Sequence, residues 1–145
     1  MTFGRVASLV GVALLVMVAN IAASILYMVV YGHVIDPGHE PQYYHDHIQV
    51  AGPYCSIVAG IPLMLLAGWW VAGWSQGKAG VRAALVVWLA YAVIDLSVLV
   101  AAGMTMRVGI LFAVSFVTKL AAAWCGAWIR VRRQAEPGAA AVGGG

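Results

Sequence analysis

Four long apolar runs, nearly free of charge, decide most of what this chain can fold into. The first, residues 6–31, contains no Asp, Glu, Lys or Arg. At about 1.5 Å per residue it more than covers a hydrocarbon core about 30 Å thick. A signal-peptide core runs only about 7 to 15 residues, so this segment is read as a retained helix, not a cleaved leader. The second run, 53–74, opens on Gly52-Pro53, where proline suits a first helical turn. Inside it, Pro62 removes the amide that would bond the Val58 carbonyl, and a kink is expected. The third and fourth runs, 83–102 and 108–129, are separated only by Gly103–Arg107, a tight turn that makes them an antiparallel hairpin.

Composition agrees with the runs. The chain is 63% hydrophobic and 9% charged, against about half apolar and roughly a quarter charged in a soluble domain. The expected fold is therefore all-α: a polytopic membrane protein whose four-transmembrane-helix bundle forms one domain over residues 1–133. An outer loop or short helix is expected at 32–52, and a disordered cytoplasmic tail of Ala, Gly and Pro at 134–145.

With so few charges, each has a readable meaning. Arg5, Lys78, Arg82, Arg130, Arg132 and Arg133 fall on one side of the four spans, and Arg107 alone falls on the other. This bias places both termini in the cytoplasm of a cell-membrane protein. It also accounts for the net positive charge through topology and anionic lipid, so no nucleic-acid partner is expected. Trp69, Trp70, Trp74, Trp124 and Trp128 fall near the inner interface, and Tyr27, Tyr31, Tyr43, Tyr44 and Tyr54 near the outer one. Cys55 and Cys125 lie at opposite ends of their spans, too far apart for a disulfide.

Asn20, Asp95 and Lys119 are polar where the bilayer is apolar. An unpaired Asp or Lys at mid-depth costs about 2.5 to 3.5 kcal/mol, so such residues face the bundle interior and pair. Counted from Thr105, Asp95 and Lys119 differ in depth by four residues, about 6 Å. Their side chains lean toward each other, because each points to the N-terminus of its own helix and the helices are antiparallel. Tyr91 shares the face of Asp95; Ser115, Ala122 and Gly126 share that of Lys119. Asn20, Ser24, Tyr27 and Tyr31 form a polar stripe along the first span. Together these residues outline a short polar cavity open to the outside, with Asp95 and Lys119 at its floor.

The outer loop holds every histidine and three of the five acids: His33, Asp36, His39, Glu40, His45, Asp46 and His47. Asp36-Pro37-Gly38 reads as a turn, and Glu40-Pro41 as the start of a short surface helix over 41–50. On that helix His45 and His47 diverge. His33, Asp36, His39, Glu40, His45 and His47 are suitable donors for a divalent metal such as zinc or copper, but no defined ligand spacing is present. No helix histidine is placed to hold haem within the bilayer and no phosphate-cradling loop occurs, so a membrane enzyme using the outer His and acid groups ranks behind the other readings. Two readings of function remain open. One is an accessory or interaction bundle, self-associating or bound to a membrane-protein partner, whose polar cluster fixes helix register. The other is a small proton- or cation-coupled transporter using Asp95 and Lys119, with a metal-binding outer loop as a further alternative.

Overall fold

The computed structural model describes residues 2–102 and 106–135, and all regular secondary structure there is helical. Helix α1 spans Phe3–Val30 and passes into a π-helical turn, Tyr31–Ile35. Helix α2 spans Pro41–Ala72, α3 spans Lys78–Ala102 and α4 spans Met106–Ala135. All four are long and apolar enough to cross a membrane. They alternate in direction, so the bundle has a loop end, carrying residues 36–40, and an arginine end. At the arginine end Arg5 donates to the Ser75 hydroxyl and, at 3.2 Å, to the Trp74 carbonyl, fastening the start of α1 to the α2–α3 connection. Gly77 in that connection has φ +57°, a left-handed conformation that favours glycine.

The helices overrun the expected spans. The separate surface helix over 41–50 does not exist as such: residues 41–72 form one helix, with Pro53 and Pro62 both inside it. Glu40 is its N-cap and Pro41 opens it, so the start signal operates there and not at Gly52-Pro53. Pro53 frees only the Gln49 carbonyl, and the residues on either side remain helix-compatible, which is too little to terminate a packed helix. At the other end of the chain, α4 continues through Gln134 and Ala135, correcting the expectation of disorder from Gln134. The rest of the expected tail, 136–145, and the turn residues 103–105 lie outside the described residues.

Packing is uneven along the bundle axis. Leu9, Ala13, Met64, Val71, Ala84, Val87, Ala123 and Ala127 have no exposed surface, and all lie between the polar residues at mid-helix and the arginine end. Small residues make this half tight. A Cβ on Gly68 would fall on the Ala123 carbonyl, and one on Gly126 would fall on the Leu65 carbonyl. The backbones of α2 and α4 therefore touch, the arrangement that small residues permit between helices in lipid. Toward the loop end the buried apolar side chains stop, and the helices leave clefts between them. Trp88 bridges α3 to α4, its indole N–H donating to the Phe116 carbonyl at 3.1 Å.

Backbone contact between α2 and α4 leaves no slack for a methyl group. Gly126→Ala is expected to destabilise the protein by about 1 to 3 kcal/mol, the usual cost of overpacking. Thermal unfolding in detergent checks this, with Gly11→Ala as the control because a Cβ there meets nothing. Equal melting temperatures for the two variants would contradict close α2–α4 packing.

Candidate functional site

Each helix sends one polar side chain, and α3 sends two, into a single layer at the boundary between the packed and the open halves. Lys119 of α4 is the centre, 1% exposed. Its ammonium donates to the Tyr91 hydroxyl at 2.9 Å and to the Ser56 hydroxyl at 3.1 Å. The Asn20 amide nitrogen donates to the same two oxygens, at 3.0 and 2.9 Å. Four helices are thus joined through two shared hydroxyls. The Lys119 stem has room because α2 presents Gly60 to it, where a Cβ would overlap the lysine Cε. The ammonium also lies 4.6 Å from the centre of the Tyr91 ring, within range of cation–π attraction.

Asp95 stands apart from this knot. Its carboxylate lies 3.9 Å from the Lys119 nitrogen, near enough for charge attraction and too far for a hydrogen bond. Among the described residues no other group bonds it. Its side chain is 26% exposed where Lys119 is sealed. Tyr91 and Asp95 follow one another at i, i+4 and so share a face of α3.

The exposure of Asp95 is to a cleft. A cavity of about 550 Å³ runs from Asn20, Ser56, Tyr91 and Asp95 along α1 to Gly32, His33 and Tyr44 at the loop end. Its walls are mainly apolar, supplied by residues such as Ile21, Ile25 and Met28. A smaller cavity, about 170 Å³, reaches Asp95 and Ser56 from the side of Pro53, Phe112 and Ser115. Lys119 lines neither. Of the polar stripe on α1, Asn20 and Ser24 face the larger cavity, whereas Tyr27 and Tyr31 turn to His47.

The loop end is held by aromatic and acidic groups. The Asp36 carboxylate accepts from the Tyr43 hydroxyl at 2.7 Å, from His39 Nε2 at 3.1 Å and from the Tyr31 hydroxyl at 3.3 Å. The Tyr43 bond, followed by that of His39, holds the Asp36 carboxyl below the usual range. Tyr44 donates to the Asp36 carbonyl at 2.8 Å. Gly38, with φ +94°, makes the turn beside it. His47 stacks on Tyr31 with ring centres 3.9 Å apart and shares a hydrogen bond with the Tyr27 hydroxyl at 3.1 Å. His33 Nδ1 bonds the Val29 carbonyl at 2.9 Å, while Glu40 and His45 are exposed. These donors are dispersed: among the described residues no three His, Cys, Asp or Glu side chains converge on a metal-sized space. Cys55 and Cys125 are both free.

Asn20, Tyr91, Asp95 and Lys119, singled out on sequence, are brought together. Ser56 and Gly60 were not singled out. A serine or glycine in an apolar span is ordinary by itself; the available signal was their i, i+4 spacing on one face of α2. Comparison with protein-family models, with curated proteins and with solved structures finds no match for this chain.

The Asp95–Lys119 pair makes a thermodynamic cycle informative. Asp95→Asn and Lys119→Met are each expected to lower unfolding free energy by about 3 kcal/mol, because each leaves a charge without its opposite. The double variant is expected to recover part of that loss. Strict additivity in denaturant unfolding would show that the two charges do not interact.

Proposed function

We propose that this chain is a four-span protein of the cell membrane with both termini cytoplasmic, and that it works as a small proton- or cation-coupled carrier using Asp95 and Lys119. Membrane insertion is supported by exposed mid-helix residues such as Leu15, Val18, Val58 and Val117, all more than half exposed. No water-facing surface would carry so much apolar area. Orientation rests on the arginines. Arg130 and Arg132 stack on Trp69 and Trp128, at 4.6 and 3.6 Å from the ring centres, a combination suited to the inner interface.

The single observation behind the carrier reading is one-sided access. Asp95 is reached through a cleft from the loop end, while the groove of about 310 Å³ between α1 and α2 in the arginine half, lined by Val12, Val16, Leu66 and Trp70, includes neither Asp95 nor Lys119. A carrier needs this arrangement in one of its states, with a mid-membrane site open to one face and closed to the other. In the proposed cycle Asp95 takes up a proton or a cation from the outer cleft. Neutralising Asp95 removes the charge that attracts Lys119, leaving the ammonium held by Ser56 and Tyr91. Because those two hydroxyls also bind Asn20, a change at Asp95 reaches all four helices through one shared knot. The same knot motivates a second reading, an accessory bundle whose polar layer only fixes register.

Flux separates the two. Purified protein is reconstituted in liposomes loaded with a pH-sensitive dye, and gradients of sodium, potassium or a small organic cation are imposed in turn. At least one gradient is expected to drive an internal pH change that Asp95→Asn abolishes and Lys119→Met reduces by about 10-fold or more, corresponding to about 1.4 kcal/mol or more. No pH change under any gradient, or full activity in a folded double variant, would contradict the carrier and leave the accessory role.

A further inference from the structure

The cleft leading to Asp95 has a chemical polarity of its own. Its long walls are hydrocarbon, and at its inner end Asp95 presents a carboxylate with no hydrogen-bond donor of its own among the described residues. The nearby cation among the described residues, Lys119, is 1% exposed, directs two hydrogen bonds to Ser56 and Tyr91, and stays behind the cavity wall. From inside the cleft the end is therefore an acceptor. The loop end has the same net sign: Asp36, Glu40 and Asp46 of the connection outnumber Arg107, the one Lys or Arg that the sequence places at this end, although the cavity itself is lined there by Gly32, His33 and Tyr44. A volume of about 550 Å³ falls in the range of small-molecule sites, about 300 to 1,000 Å³, which typically combine apolar walls with a few placed polar groups.

We infer that this cleft binds an amphipathic organic monocation, an alkyl- or arylalkyl-ammonium. Its nitrogen bonds the Asp95 carboxylate and its apolar body lies along Ile21, Ile25 and Met28. An ammonium supplies what the site lacks, a donor carrying positive charge, and it enters through a mouth whose acids attract it. An amphipathic anion of the same shape meets only acceptors at Asp95 and an acidic entrance. An alcohol can donate once but brings no charge to the carboxylate. An inorganic cation offers nothing to the hydrocarbon walls, so chain length as well as charge must matter. The inference deepens the carrier reading by giving the organic-cation class to its site, and binding can be measured apart from transport.

The test uses full-length protein in lipid nanodiscs, with empty nanodiscs as the baseline, and octylammonium, octanol and octanoate as probes of one tail and three head groups. Titration calorimetry is expected to show saturable octylammonium binding at least about 10-fold tighter than octanol, a difference of about 1.4 kcal/mol, and none for octanoate. Asp95→Asn and Ser24→Trp, which fills the cleft from α1, are each expected to abolish the preference, with melting curves reporting the fold. If Asp95→Asn does not fold, Ser24→Trp decides. Equal binding of octylammonium and octanoate, or octylammonium binding unchanged by a folded Ser24→Trp, would overturn the inference. Asp95-dependent binding without proton flux upholds the ligand class and removes the carrier. Flux driven by sodium or potassium with no octylammonium binding does the reverse.

Discussion

A lysine ammonium with 1% exposure has to be satisfied by the protein around it, and much of this bundle follows from how that is done. Desolvating a charge costs several kcal/mol, recovered only where hydrogen bonds and an opposite charge meet it. Here Ser56 and Tyr91 each accept from Lys119, Asn20 bonds the same two oxygens from the far side, and Asp95 supplies the negative charge at 3.9 Å. Five residues from four helices must keep their register for any of these bonds to form. Gly60 is as necessary as the polar groups, since a side chain on it would occupy the space of the lysine stem.

The layer also divides the molecule. On its arginine side, Gly68 and Gly126 bring the backbones of α2 and α4 into contact, alanines complete the core, and a groove of about 310 Å³ between α1 and α2 stays separate from the polar layer. On its loop side, α1 and α2 are larger-walled and bounded by clefts, and their connection is held by the Asp36, Tyr43 and His39 cluster instead of by apolar packing. A charged group at such a boundary experiences two environments. Asp95 faces the open one and Lys119 the closed one, which is why the proposed carrier takes up its ion from the loop end at Asp95 and couples it to the rest of the bundle through Lys119.

Much of this was legible because long apolar helices obey simple rules. The four apolar runs, the sparse charges and the antiparallel leaning of Asp95 toward Lys119 follow from rise per residue, desolvation cost and side-chain direction. The length of α2 was not legible, because Gly52-Pro53 resembles a helix start, while whether a proline ends a helix depends on packing that local sequence does not contain. Ser56 was missed for a related reason: its importance lies in accepting from two residues far away in the chain. The dispersal of the outer-loop histidines also escaped composition, since His47 finds Tyr27 and Tyr31 on α1 while His39 finds Asp36.

One-sided access to the polar layer is the central claim, and cysteine labelling tests it directly. In a Cys55→Ser, Cys125→Ser background, a cysteine is placed at Ser24, which lines the cleft, or at Met64, which has no exposed surface and lies two turns beyond Ser56 toward the arginine end. A membrane-impermeant maleimide is applied to either face of sealed vesicles. Ser24→Cys is expected to react from the loop face only and Met64→Cys from neither. Protection of Ser24→Cys from both faces, or labelling of Met64→Cys from the arginine face, would contradict one-sided access.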